Sequence, residues 1–248
     1  MRVMDRDFRF IATRGAIAAT VALAGEVLYA IRRPLPDLDG WDASAVIGDD
    51  RLPVLRVVAL GDSTLTGPGL VDPAEIWARR LVEPWTERHR VEFTSLAATG
   101  ARTADVLRDQ IPRAVEREWD LALVSVGGND ILRAVPIPLF ERRLETIVSA
   151  LQVVTTTVVL MGVGDLGTAP RFPLPLDRMA RLSGRIADRV HGRVAGRLGV
   201  PKVDHWGYSA EAFRDPAMFA ADLFHPSPAG HEVWAETVRP VVEAALGF

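Results

Sequence analysis

Five apolar runs rich in branched residues alternate with longer segments of helical period over residues 54–246, and this alternation limits the possible folds more than any other feature of the chain. The runs are VLRVVAL (54–60), RVEFTSL (90–96), DLALVSV (120–126), TTTVVLMG (155–162) and VPKVDH (200–205). Helical patterns fall between them at AEIWARRLVEPW (74–85), TADVLRDQIPRAVERE (103–118), FERRLETIVSALQVV (140–154) and LDRMARLSGRIADRVHGRVAGRLG (176–199). A last helix is expected over about 230–246. Strands apolar on both faces that alternate with helices predict a parallel sheet covered on both sides, here of five strands. A single doubly wound α/β domain is the economical solution, and in such sheets ligands bind outside the carboxyl ends of the strands.

Upstream of this pattern the chain changes character. Residues 32–53, RRPLPDLDGWDASAVIGDDRLP, are rich in Pro, Gly and Asp with no hydrophobic period, so 34–53 reads as a linker and the compact domain as 54–248. Residues 1–33 hold GAIAATVALAGEVLYAI (15–31), apolar except for Glu26 and flanked by Arg14, Arg32 and Arg33. Its length is at the lower limit for a spanning helix. A signal peptide or uncleaved anchor is the expectation, with ALA at 22–24 as a small-residue cleavage pattern. A helix packed on the domain of a cytoplasmic protein is the alternative, because a charge in lipid is costly.

The whole chain, 248 residues with a net charge of −3, offers no global electrostatic argument for nucleic acid, whose binding needs a basic surface. With no cysteine it can have no disulfide, thiolate nucleophile or Cys-based metal site.

The first apolar run ends in GDSTLTG (61–67), which can set the Ser63 hydroxyl at the sheet edge, although serine in a turn also serves as turn former or helix cap. Acyl transfer by serine needs a base, a carboxylate to orient that base, and donors for the developing oxyanion. The segment DLFHPSPAGH (222–231) offers Asp222 and His225 three apart, close enough for the carboxylate to reach Nδ1 while Nε2 faces a distant Ser63. Small-residue turns after the second and third runs, AATGARTAD (97–105) and GGND (127–130), offer the Gly100 N–H and the Asn129 amide beside the Ser63 N–H. By itself GGND reads equally as a turn that caps the next helix.

Together, GDSTLTG with Ser63, TGARTAD with Gly100, GGND with Asn129 and DLFHPSPAGH with Asp222 and His225 resemble the SGNH hydrolases, the GDSL-type esterases and lipases, in order and rough spacing over about 54–246. The resemblance implies a flavodoxin-like three-layer α/β/α domain and ester hydrolysis by a Ser63–His225–Asp222 triad through an acyl-enzyme, with no cofactor and no metal. Its oxyanion hole would be Ser63, Gly100 and Asn129. Many relatives carry an asparagine shortly before the second-block glycine, where this chain has Ala97 and Ala98. A supporting hydrogen bond of that turn is therefore in doubt. The implied substrate is an acyl ester or lipid. Carbohydrate deacetylation and acyl transfer use the same site, and a non-catalytic lipid or glycan binding module is the alternative outside enzymes.

Other residues receive structural readings. His231 is expected inside the final helix, His205 could approach the crevice, and His89 and His191 look like surface residues. Asp62 and Asp130 would cap turns, and Asp130 could order the oxyanion loop. The apolar loops at 162–177 and 133–140 could line an acyl pocket. Along 176–199, Arg178, Arg181, Arg185, Arg189, Arg193 and Arg197 recur every three or four residues, beside an expected buried stripe of Met179, Leu182, Ile186, Val190, Val194 and Leu198. A solvated face is one reading of the arginines, and contact with an anionic membrane surface is the other.

Overall fold

The structure, a computed structural model, describes residues 21, 25, 28, 29 and 36–248. The expected signal or anchor at 15–31 therefore lies outside the described residues except at four positions. Among the described residues no helix is long and apolar enough to cross a membrane.

The sheet has six strands rather than five, in the order β1-β3-β2-β4-β5-β6. The strands are β1 (Ala45–Ile47), β2 (Val54–Gly61), β3 (Arg90–Ser95), β4 (Trp119–Ser125), β5 (Thr155–Met161) and β6 (Lys202–Val203). The last five run parallel, as the sequence predicts, and β1 pairs antiparallel with β3. The extra strand comes from the segment read as a linker. There Ala43 is fully buried, the Trp41 N–H donates to the Thr66 carbonyl at 2.7 Å and its indole Nε1–H donates to the Leu70 carbonyl at 2.9 Å. A strand of three residues at a sheet edge is too short to show a period of two, so it leaves no pattern to read.

The helices that matter here are α1 (Trp77–Val82), α2 (Gly128–Leu132), α3 (Ile137–Leu151), α4 (Leu176–Leu198), α5 (Tyr208–Ala212) and α6 (Pro228–Leu246). Alternation along the central strands divides the core into two layers. Val57 and Ala59 of β2, Leu121 and Leu123 of β4 and Val159 of β5 pack with α1 and α6. Their neighbours Val58, Leu60, Ala122, Val124, Val158 and Leu160 pack with α3 and α4 on the opposite face. Both faces of each strand are thus dry, which is why the strands read as continuous apolar runs rather than alternating ones. Each such branched side chain contributes about 1.5–3 kcal/mol on burial.

Two expectations for α4 are corrected. Met179 and Leu182 are 54% and 59% exposed, and the buried residues of the first turns are Ala180, Gly184 and Ala187. The reason is a close approach: a side chain at Gly184 would put its first carbon 2.6 Å from the Gly164 carbonyl oxygen, so only small residues fit against the loop after β5. His191 lies on this buried side and is fully enclosed, not at the surface.

The arginine face, second, has partners within the protein at four of its six positions, while the Arg178 and Arg189 side chains have none among the described residues. Nothing in the structure supports a membrane surface as its partner. Arg181 pairs with Asp165 at 2.9 Å, Arg193 and Arg197 both grip Glu141 of α3, and Arg197 also reaches Glu145 at 3.1 Å. Arg185 lies 4.2 Å over the Trp206 ring. Hydrogen bonds from Arg193 and then Arg197 hold the Glu141 carboxyl down at about 2. Counting charges along the helix missed carboxylates supplied by other elements.

Chain order positions the site. After β2 the chain builds β3 on one side and then returns to build β4 on the other, so a crevice opens above the carboxyl end of β2.

Candidate active site

The serine turn begins where β2 meets β4. A side chain at Gly61 would put its first carbon 1.9 Å from the Ser125 carbonyl oxygen, so only glycine lets the strand end there. The Gln110 amide holds the same residue at both ends: its Oε1 accepts from the Gly61 N–H at 2.8 Å and its Nε2 donates to the Gly61 carbonyl at 2.9 Å. Gln110 closes a π-helical turn, Val106–Gln110, inserted in the helix after the second turn. Such insertions frequently mark functional sites. The Ser63 carbonyl then accepts from Thr66 and Gly67 at 3.3 and 3.0 Å, which folds the chain back under the hydroxyl.

The Gly100 turn lies next to this one. Gly100 has φ +75°, and the Thr66 and Thr99 hydroxyls meet at 2.8 Å, joining the first two blocks. The Ala98 N–H donates to the Gly61 carbonyl at 3.2 Å, so the alanines found in place of an asparagine still leave the turn tied to β2. Among the described residues the N–H groups of Ser63 and Gly100 donate to no protein acceptor.

Asn129 stands in the first turn of α2. The chain enters it through Gly127 at φ +128°, where an added side chain would come within 2.8 Å of Phe140 and 2.9 Å of the His191 ring. His191 sits between two carbonyls, with Nδ1 2.9 Å from Ala187 O and Nε2 2.9 Å from Val126 O, and so links α4 to the residue that precedes the loop. Burial holds its pKa below the ordinary imidazole value. Asp130, fully buried, accepts from the Thr103 N–H at 2.9 Å and the Thr103 hydroxyl at 2.6 Å, tying the third block to the helix that follows the second. The Asn129 amide donates to the Ala101 carbonyl at 3.2 Å and lies 3.5 Å from Asp62 Oδ2. Burial pushes the Asp62 carboxyl up to about 6, against the opposing effect of its bonds with Thr64 and of nearby His225.

The fourth block is a tight turn through Leu223 at φ +62°. Asp222 accepts from the Phe224 and His225 N–H groups through Oδ1, each at 3.0 Å, and from His225 Nδ1 through Oδ2 at 2.5 Å. Burial by itself would raise the Asp222 carboxyl, but the bonds from the His225 ring and the two N–H groups outweigh it and leave the group below its ordinary value.

Ser63, Asn129 and His225 line one cavity of about 140 Å³, with Asp222 behind the imidazole. Gly100 is not part of the cavity wall; its turn reaches the site through the contact of Ala101 with Asn129. Leu166 of the loop after β5 lines the cavity, whereas Phe172, Leu174 and residues 133–140 do not. His205 also lines it. His231 is structural, as expected: buried in α6, it accepts the Trp77 N–H on Nδ1 at 3.2 Å, and burial pushes its pKa down to about 3. His89 is half-buried and stacks on Phe248 with ring centroids 5.3 Å apart. Among the described residues no group of three or more His, Cys, Asp or Glu is placed to hold a metal ion.

Comparison with known proteins identifies the family. The model of the GDSL-like lipase/acylhydrolase family matches residues 59–233, from inside β2 to inside α6. The chain belongs to that family. A GDSL-like esterase of Mycobacterium tuberculosis is 30% identical over 201 residues, covering 77% of this chain and 63% of the relative. The chain spans less than two thirds of the length of the curated relatives it matches. Among solved structures, TesA superposes with TM-score 0.64 at 22% identity, over 77% of this chain and 99% of its own. The psychrotrophic esterase EstA of a Pseudoalteromonas species superposes with TM-score 0.62 at 16% identity, over 78% and 99%. At these identities the structures establish the shared GDSL-family fold.

Gln110, Thr103 and His191 are the residues that sequence reasoning missed. Thr103 lies inside TGARTAD but was given no role there, Gln110 and His191 lie in no recognisable motif, and the helical pattern at 103–118 has no mark of the π-turn that turns Gln110 inward.

Proposed function

We propose that the protein hydrolyses carboxylic acyl esters through an acyl-enzyme formed on Ser63, with His225 as general base and then acid and Asp222 orienting the ring. The observation that carries this reading is the 2.5 Å bond from His225 Nδ1 to Asp222 at the wall of the cavity that Ser63 also lines. With Nδ1 committed, Nε2 is the nitrogen left to take a proton from serine. The family match and the esterase relative support an ester as the substrate class.

In the first step Ser63 Oγ attacks the ester carbonyl carbon, its proton passes to His225 Nε2, and the carbonyl electron pair moves onto oxygen. The Ser63 N–H would meet that oxyanion together with the Asn129 amide, which would give up its long 3.5 Å contact with Asp62 while its other hydrogen stays on Ala101. The Gly100 N–H, outside the cavity wall but without an acceptor among the described residues, is the third donor assigned by the family pattern. Collapse expels the alcohol with the proton from His225. Water then attacks the acyl-serine by the same path, and the carboxylic acid leaves.

Turnover of p-nitrophenyl acetate tests the assignment. Ser63→Ala is expected to lower kcat by ~10³-fold or more, and Asn129→Ala by ~10²–10³-fold as one oxyanion donor is lost. Undiminished turnover by Ser63→Ala would overturn it.

A further inference from the structure

The end of the cavity away from Ser63 carries two polar side chains whose polar atoms have no hydrogen-bond partner among the described residues, the His205 ring meeting Trp234 at a tilt. β6 stands three places from β2 in the sheet, so at ~4.8 Å per strand the loop after β6 starts about 14 Å from the serine turn. His205 follows β6 and Ser209 lies in α5, and both line the same cavity as Ser63 and His225. They are only 7% and 2% exposed, so what they face is the cavity and not bulk water. Among the described residues neither the His205 ring nor the Ser209 hydroxyl has a hydrogen-bond partner. His205 Nδ1 is sealed within the protein, which leaves Nε2 as the ring nitrogen open to a ligand.

The surroundings make these two groups selective. Met161, Val163, Phe213 and Trp234 supply apolar wall, so a ligand atom there finds few other polar partners. Burial pushes the His205 pKa down to about 4, so at neutral pH it is an uncharged donor or acceptor rather than a cation that would draw a second carboxylate. Buried polar groups in native proteins are nearly always satisfied, and a plain alkyl chain pressed against this wall would leave both unpaired. The volume of about 140 Å³ holds roughly five water-sized groups at ~30 Å³ each, enough for a short chain whose far end reaches the open side. The cavity, partly open to solvent, suits the half of the substrate that stays on the serine, because the alcohol must leave before water attacks.

We propose that His205 and Ser209 select acyl groups that carry a hydroxyl or carbonyl oxygen several carbons beyond the ester, that is hydroxy- or oxo-acyl esters, over unsubstituted chains of the same length. The inference rests on the reading of Ser63 as nucleophile, which places the acyl end at the opposite side of the cavity.

The test is competitive inhibition of p-nitrophenyl acetate hydrolysis by hexanoic, octanoic and decanoic acids and by their ω-hydroxy counterparts. At one chain length or more the hydroxy acid is expected to bind about fivefold tighter, the worth of one net hydrogen bond. The ratio should fall to about one in Ser209→Ala and His205→Phe and return in part in His205→Gln. Calorimetric titration of the same acids into the Ser63→Ala protein reads the ratio without turnover, so a failed nucleophile assignment and a failed selectivity remain distinguishable. Equal inhibition by both members at all three lengths, no binding by any of the acids, or a preference undiminished in both Ser209→Ala and His205→Phe would overturn the proposal.

Discussion

Asp62 shows how placement, not residue type, decides the behaviour of a side chain in this site. Enclosed beside the serine with Thr64 and Asn129 as partners, its carboxyl is pushed up to about 6, while an unfolded aspartate titrates near 3.8. The folded chain therefore binds more protons than the unfolded chain between those values. The stability that this provides is fully present below about 3.8 and is lost as pH rises through about 6. Asp62→Asn removes that charge, so its thermal midpoint should exceed the parent's at pH 8, by up to ~3 kcal/mol in stability, and match it near pH 3.5. Equal midpoints at pH 8 would count against a charged, desolvated Asp62. Asp222 shows the opposite outcome, because three donors surround it. Ser63, Asn129, Asp222 and His225 were legible in the sequence since each lies in a short local motif whose turn the neighbouring residues themselves build. The state of Asp62 was not, because it depends on what covers it.

At the scale of elements, the site is held by contacts that cross from one segment to another. The π-turn at Val106–Gln110 rotates one glutamine inward to bind both polar groups of Gly61, doing for the end of β2 what another strand would do. Gln110→Leu keeps the volume but leaves a buried N–H and C=O unpaired, at ~1–3 kcal/mol each. Denaturant unfolding should show a loss of ~2–5 kcal/mol, with kcat on p-nitrophenyl acetate falling as well, since the serine turn starts at the next residue. A Gln110→Leu protein with parental stability and kcat would mean the clamp is idle. Helix α4 teaches a related lesson. Its arginines suggested an outer face for lipid, and Met179 and Leu182 suggested core, yet Glu141, Glu145 and Asp165 claim three of the arginines and the loop at Gly164 admits only Gly184 and its small neighbours. Period located the helix to within a residue; its orientation depended on partners distant in sequence.

For the molecule as a whole, the edge strand β1 marks where the compact unit begins. Residues before Val54 cover the open side of β3 and bury Ala43, and Trp41 is bonded at both its backbone and its ring to the serine-side turns. A protein starting at Val54 would expose the β3 edge, an invitation to intermolecular pairing. It should melt lower and aggregate faster on heating than one starting at residue 36, as light scattering during a thermal ramp would show; identical curves would make β1 dispensable. The apolar runs and the helical period determined the parallel α/β/α class by themselves, because burial on both faces leaves a signal in every strand. The order of four short motifs likewise singled out the residues proposed to carry the chemistry. The tertiary structure alone decided the sixth strand, the Gln110 clamp on Gly61, the enclosure of His191 and the cavity that brings His205 and Ser209 to the site of Ser63. These are contacts between residues far apart in the chain, and their free energy depends on distance and burial, which no local pattern of residue types records.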